Sequence, residues 1–338
     1  MDLGLIVAIA FATAFALTNG FHDAANAIAT LVATRGATPG QAIALSSVFN
    51  LAGAVLLGTA VADTIGKIVE LPPDDAVTAI GSGLAGATAW NLLTWWRGLP
   101  SSSGHALVGG LVGAAIAEGG VHAVNWGGFD GWHPVGVIGT LVVLLISPVI
   151  GFVVGFLLLR ALRRGAQRWT RRWRQPLVGG EWVAAAALSY SHGANDAQKT
   201  MGVIAALLVA GGQLDTFSVP LWVKLLAGGA IVFGTALGGW RIIATMGRHI
   251  FGLKPLDSFA SQTSSTAVIL TASLVGGPVS TTQVVASSVV GTGAGRHRWR
   301  HVRWEVVRAM GIAWIITMPG AAVLAIAALA AWNGLASL

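Results

Sequence analysis

Two carboxylates in this 338-residue chain, Asp23 and Asp196, fall in the middle of otherwise apolar stretches, each within a short polar run. The first run is Asn19-Gly20-Phe21-His22-Asp23-Ala24-Ala25-Asn26, and the second is His192-Gly193-Ala194-Asn195-Asp196-Ala197-Gln198-Lys199. An ionised carboxylate at the centre of a bilayer costs roughly 3 kcal/mol or more unless it is paired, protonated or bound to a cation. Beside Asn195 and Gln198, Asp23 and Asp196 supply hard oxygen ligands of the kind that suit Na⁺, H⁺ or a divalent metal ion. These four residues are therefore the candidate cation site. The competing reading is a structural carboxylate that caps a neighbouring helix break. His22 and His105 are candidates for a proton relay, against a purely structural hydrogen-bonding role.

Two further runs point to an anion. Pro100-Ser101-Ser102-Ser103-Gly104-His105 and Pro278-Val279-Ser280-Thr281-Thr282-Gln283 each pair a proline with hydroxyls where an apolar stretch begins. Proline is tolerated in the first turn of a helix, where free N–H groups and Ser/Thr oxygens converge, and a helix N-terminus attracts anions. Two such starts could surround one tetrahedral oxyanion with neutral donors. The alternative is ordinary N-capping. Lys199, one of four lysines, is positioned to neutralise a bound anion or to pair with Asp196.

The elements that must position these residues are membrane helices. Hydrophobic residues make up 54% of the chain and charged residues 10%, with 46 glycines and no cysteine. Soluble domains carry about 25% charged residues, so an ordinary globular enzyme is excluded, and no disulfide or thiolate site is available. Breaking the chain at its polar and Pro/Gly-rich interruptions gives about ten segments able to cross a hydrocarbon core of ~30 Å. Their spans are 3–33, 40–61, 78–97, 101–117, 134–160, 180–210, 220–246, 258–275, 279–293 and 304–332. The fourth and ninth are short enough to be re-entrant half-helices. Eight of the tryptophans (Trp90, Trp95, Trp96, Trp126, Trp132, Trp169, Trp173 and Trp304) cluster near span ends, as in an interfacial belt.

A net charge of +7 raises the question of nucleic acid. Seven of the 20 basic residues lie between Arg160 and Arg174 and five between Arg296 and Arg308, directly between apolar runs. Juxtamembrane loops have that placement, and no nucleic-acid partner is expected. Putting both basic stretches in the cytoplasm leaves Asp63, Glu70, Asp74, Asp75, Glu118, Asp130 and Asp215 outside, with both termini extracellular. The first residues, Met1-Asp2-Leu3-Gly4, lack the basic region of a cleavable signal. The expected location is the cell (plasma) membrane.

The polar runs recur in the same order: Asp23 and His105 are 82 positions apart, and Asp196 and Gln283 are 87 apart. The chain therefore divides into a first repeat (1–160), a basic cytoplasmic loop (161–178) and a second repeat (179–338). Five segments per repeat is an odd number, so the second copy crosses the membrane in the opposite sense. The expected fold is an all-α polytopic membrane protein of about ten transmembrane segments, built as two inverted repeats with broken or re-entrant helices around a midplane site.

At these four motifs, and over essentially its whole length, the chain resembles the inorganic phosphate transporter (PiT) family, in particular its bacterial low-affinity branch. In that family a Gly-Ala-Asn-Asp-type signature occurs once per half, with a Pro-Val-Ser-Thr-Thr-His-type stretch. The resemblance implies inorganic phosphate as substrate and not an enzyme. It places Asp23, Asn26, Asn195 and Asp196 in the signature positions. The hydroxyl stretches then contact phosphate, so the candidate phosphate ligands are Ser101, Ser102, Ser103, Gly104, Ser280, Thr281, Thr282, Asn26 and Lys199. No cofactor is implied beyond a coupling ion, Na⁺ or H⁺, with the option of a divalent cation carried as a metal–phosphate complex. A homodimer is an open option. Gln283 stands where the family motif usually has His, a departure at a position where His could carry a proton or act as a ligand, and a long central cytoplasmic domain of some relatives is reduced to the basic loop.

The chain has no Gly-x-Ser-x-Gly, His-Glu-x-x-His or Walker A stretch, which argues against a hydrolase and an ATP-driven pump. A channel or a carrier for sulfate, arsenate or molybdate are the remaining rivals. The repeat and the ionisable pair favour alternating access: the carboxylates hold the cation and the hydroxyl stretches hold phosphate directly beside it.

Overall fold

The computed structural model describes residues 2–99, 101–166, 174–238, 253–296 and 304–336. The first repeat comprises α1 (Leu3–His22), α2 (Ala24–Ala33), α3 (Pro39–Leu56), α4 (Ala60–Gly66), α5 (Pro73–Trp96), α6 (Ser103–Gly119) and α7 (Gly136–Gly165). The second comprises α8 (Arg174–Ala210), α9 (Leu221–Gly238), α10 (Pro255–Leu274), α11 (Thr281–Gly295) and α12 (Trp304–Ala336). A small antiparallel hairpin, β1 (Gly128–Asp130) with β2 (His133–Val135), precedes α7 in the register Phe129↔Pro134.

The helices follow the apolar segments, with informative exceptions. The first segment breaks at Asp23, which ends α1 and precedes α2. Its counterpart does not break: α8 runs unbroken through His192–Lys199. The polar run was expected to interrupt both repeats, and in the second it does not, because Gly193 and Asn195 are accommodated within a single 37-residue helix. α7 continues to Gly165 and α8 begins at Arg174, so the loop expected over 161–178 is helical at both ends, and 167–173 lies outside the described residues. Four described stretches are long and apolar enough to cross a membrane: Leu3–Ala33, Pro39–Leu56, Gly136–Gly165 and Val307–Leu335.

α6 and α11 are short, with 17 and 15 residues. At ~1.5 Å per residue they span about 26 and 22 Å, less than a ~30 Å hydrocarbon core. Each is preceded by extended chain and begins deep in the protein, its first residues buried. Ser102 caps α6 by accepting from His105 N–H (3.2 Å), and Ser280 caps α11 by accepting from Gln283 N–H (3.4 Å). The two starts are thus built alike.

Packing is exchanged between the repeats. α1 packs on α9 and α8 packs on α3; α6 packs on α12 and α11 packs on α7. Within each repeat the first helix packs on the equivalent partner, α1 on α5 and α8 on α10. Each relation thus occurs twice with the halves interchanged, as a pseudo-two-fold duplication requires. The closest approaches coincide with the signature glycines. A Cβ at Gly20 would lie 2.2 Å from the Ile231 carbonyl oxygen of α9, and one at Gly193 would lie 2.1 Å from the Asn50 carbonyl oxygen of α3. These glycines set how near the site helices come to the opposite repeat. Trp96, Trp126, Trp132 and Trp304 are exposed, whereas the Trp90 ring is half-buried, with its indole N–H donating to Thr317 Oγ1 (3.2 Å). Trp169 and Trp173 lie outside the described residues.

Substituting Gly20→Ala or Gly193→Ala should separate these helix pairs and cost about 1–3 kcal/mol by overpacking. Gly40→Ala, where no atom of the described residues lies within 4 Å, should be neutral or slightly stabilising, since alanine favours a helix over glycine. Thermal unfolding of the detergent-solubilised protein distinguishes them: a clear fall in midpoint for the first two and none for the third.

Candidate functional site

The α1–α2 junction places Asp23 against both short helix starts. Its Oδ2 accepts from Ser103 of α6 and its Oδ1 accepts from Thr282 of α11. One carboxylate of the first repeat thus joins both halves. The side chain makes no capping bond to α2; its two bonds go to side-chain hydroxyls. Thr282 also accepts from Asn26 Nδ2 at 2.8 Å, and Ser103 donates a longer bond to Asn19 Oδ1 (3.3 Å). Asp23 is 1% exposed and, among the described residues, lies within ion-pair distance of no cationic side chain.

Asp196 is arranged differently. Its Oδ1 accepts from Lys199 Nζ at 2.6 Å and its Oδ2 accepts from Thr281 Oγ1 at 3.0 Å. His192 Nε2 lies 3.0 Å from the same Oδ2. Lys199 also donates to the Val279 carbonyl (2.6 Å) and comes within 3.3 Å of the place a Cβ on Gly104 would occupy. The lysine of the second repeat therefore reaches the start of α6 in the first. Asn195 Nδ2 donates to Ser273 Oγ and the Gly277 carbonyl (2.9 and 3.1 Å), and its Oδ1 accepts from Val279 N–H (3.3 Å). These bonds fix the extended chain leading into α11.

Of the residues singled out in the sequence, Asp23, Asn26, Ser103, Thr281, Thr282, Asp196, Lys199 and Gly104 form one contiguous buried cluster. Ser102 and Ser280 stand at its edge as helix caps. Ser101 Oγ is 2.9 Å from Thr94 Oγ1, which is also 3.1 Å from His22 Nε2, so Ser101 and His22 form a neighbouring hydroxyl–imidazole chain. His105 Nδ1 is 2.8 Å from Ser102 Oγ and 3.5 Å from Gln283 Nε2. Gln283 thus meets its own repeat equivalent. Pro100 lies outside the described residues. Gln198 is placed elsewhere: its Oε1 accepts from Val61 and Ala62 N–H (2.9 and 3.4 Å) and caps α4, which takes that oxygen away from a shared cation.

His192 and Asn50 were not among the candidates. His192 Nδ1 is 2.8 Å from Asn50 Oδ1, and Asn50 Nδ2 in turn donates to Ser46 Oγ (2.9 Å). α3 of the first repeat therefore orients an imidazole toward Asp196. The signal was present in sequence, since His192 opens the second polar run four positions before Asp196, one helical turn. Asn50 carried no such signal because only the exchanged packing of α3 on α8 brings it there.

A bundle of apolar helices closed around two buried carboxylates, with hydroxyl-bearing helix starts from both halves of a duplicated chain, defines a membrane transport protein. Comparison with known proteins specifies it. A family model described as "Phosphate transporter family" matches twice, over residues 19–178 and 166–325. The chain is 39% identical over 322 residues to a Rhizobium meliloti protein named "Probable low-affinity inorganic phosphate transporter", covering 95% of this chain and 94% of that one. It is 40% identical over 331 residues to a protein of the same name from Bacillus subtilis, covering 96% of each. A Mycobacterium bovis protein of that name is 42% identical over 318 residues, 93% of this chain and 74% of that one. Among solved structures, one titled "The sodium-dependent phosphate transporter" superposes with a TM-score of 0.86 at 24% identity, over 98% of this chain and 99% of that one. The chain belongs to the phosphate transporter family.

The Asp196–Lys199 contact is a buried ion pair, and removing one partner of such a pair strands the other. Lys199→Met should cost about 3 kcal/mol, the low end of the usual range because His192 still faces the carboxylate. Asp196→Asn in the same background should return most of that loss. A double-mutant cycle by thermal unfolding checks this, with additive losses contradicting a direct pair.

Proposed function

We propose that this protein imports inorganic phosphate across the cytoplasmic membrane as a cation-coupled secondary transporter. The observation that carries the reading is the double engagement of Asp23 by the hydroxyls that open α6 and α11. Helix N-termini and hydroxyls favour a tetrahedral oxyanion, yet an oxyanion beside a buried carboxylate is repelled unless a cation lies between them. Bound together, cation and phosphate each stabilise the other, which is the thermodynamic content of coupling. Ser101 to Gly104, Ser280 to Thr282, Asn26 and Lys199 are the proposed phosphate contacts, and Asp23 with Asn26 the principal cation ligands. Asp196 and Asn195 support the second half-site. Gln198 is the weakest of the proposed cation ligands, since its oxygen already caps α4.

The coupling ion is proposed as Na⁺ or H⁺, with phosphate travelling alone or with a divalent cation. The site residues are almost wholly buried, so loading and release require the helices to move. Alternating access is the proposed cycle: the exchanged packing offers two arrangements of similar energy related by the repeat, and rocking between them would expose the site to each side in turn. The basic stretches are proposed to face the cytoplasm and the N-terminus the exterior.

Radiolabelled phosphate uptake into proteoliposomes tests the proposal, with an imposed Na⁺ gradient in one arm and a pH gradient in another, each with and without Mg²⁺. Saturable uptake driven by one gradient is expected, competed by arsenate and not by sulfate. Asp23→Asn should reduce it to the background of empty liposomes. Uptake that neither saturates nor follows a gradient would point to a channel, and sulfate movement in place of phosphate would overturn the substrate.

A further inference from the structure

The two half-sites have corresponding residues but unequal chemistry. Aligning the polar runs pairs Asn19 with His192, His22 with Asn195, Asp23 with Asp196 and Asn26 with Lys199. Aligning the helix starts pairs Ser103 with Thr281 and Gly104 with Thr282. In the first half-site, among the described residues, the Asp23 carboxylate is held by hydroxyls alone, and three buried polar atoms of its own polar run have no partner: Asn19 Nδ2, His22 Nδ1 and Asn26 Oδ1. An unneutralised buried carboxylate beside an unpartnered amide oxygen is a pair of ligands lacking a cation.

In the second half-site the corresponding positions are mostly satisfied from within, His192 Nε2 making no hydrogen bond but standing at ion-pair distance, 3.0 Å, from Asp196 Oδ2. Asn195 makes three hydrogen bonds, His192 is held between Asn50 and Asp196, and Lys199 spans Asp196 and the Val279 carbonyl. The ammonium is surrounded by a carboxylate oxygen and a carbonyl oxygen, with Thr281 on the same carboxylate, the oxygen surroundings that suit a hard cation. Gly104 makes the room. Where the other repeat has Thr282 donating to Asp23 and accepting from Asn26, this position has no side chain, and a Cβ there would lie 3.3 Å from Nζ. Asn26 with Thr282, and Lys199 with Gly104, are therefore alternative pairs filling the same place in the two repeats.

We propose that the Lys199 ammonium is a tethered cation occupying the place of a second coupling ion, so that one mobile cation, bound at Asp23, accompanies each phosphate. This rests on the reading of the protein as a cation-coupled phosphate carrier and adds its stoichiometry. The duplicated architecture supplies two cation places. The sequence fills one of them permanently, and only the Asp23 place exchanges with solution during transport.

The test converts the second half-site to the chemistry of the first with Lys199→Asn and Gly104→Thr together. Phosphate uptake into proteoliposomes is titrated with Na⁺ at fixed pH for the wild type and the double variant, and Na⁺ bound per chain is measured with ²²Na⁺ on the purified proteins. The variant should gain about one Na⁺ per chain over the wild type, and its Hill slope for Na⁺ should rise by about one. Lys199→Asn alone carries the same binding prediction should the double exchange not be recovered as a monodisperse protein. Na⁺ binding equal to wild type in a folded variant overturns the proposal. A wild type that moves no phosphate under any gradient instead overturns the functional reading, and the binding comparison still decides the role of Lys199.

Discussion

The interaction on which the rest depends is the burial of two carboxylates, Asp23 and Asp196, inside an apolar bundle. A charge in that environment is tolerated only where partners replace the water it has lost. Asp23 takes its partners from two helix starts that belong to different halves of the chain, and Asp196 takes its from a lysine one turn along its own helix and from the second of those starts. The desolvation of these groups thereby ties α1, α6, α8 and α11 to one point. It also explains why the helix starts lie inside the protein, where the oxygens of Ser103, Thr281 and Thr282 reach the carboxylates.

The duplication gives this arrangement its mechanical character. Each site helix packs on an element of the opposite repeat, at glycines whose missing side chains bring backbones into contact. Such contacts are close-packed and shift between discrete arrangements more readily than they deform. A site clamped by elements from both repeats is loosened whenever one repeat moves against the other. In the proposed cycle, occupancy by cation and phosphate together would add the contacts that oppose that loosening.

Much of this was legible in the sequence because membrane helices are written in long apolar runs and the exceptions to them stand out. Asp23, Asp196, Ser103, Thr281 and Thr282 were visible as polar residues at matched places in a repeat, and the structure gathers them. What escaped has a common physical reason: it depends on which element of one repeat lies against the other. Asn50 reaches His192 only through the packing of α3 on α8. Gln198 points to the start of α4, a seven-residue helix too short for any periodic signal, and so caps backbone N–H groups where a ligand role was expected. The unbroken course of α8 was hidden because the same type of polar run breaks the helix in one repeat and is absorbed by it in the other. The family resemblance was carried by the motifs themselves, and the match of one family model to both halves expresses the same duplication.

One cation and one phosphate are proposed to occupy adjoining places and to stabilise each other there. Equilibrium binding of phosphate to the purified protein, measured by calorimetry across a series of concentrations of the coupling ion, tests it most directly. The ion should tighten phosphate binding about 5- to 150-fold, the usual span of a coupling free energy between sites, and phosphate should tighten ion binding by the same factor. Phosphate affinity that does not change with the ion would contradict it.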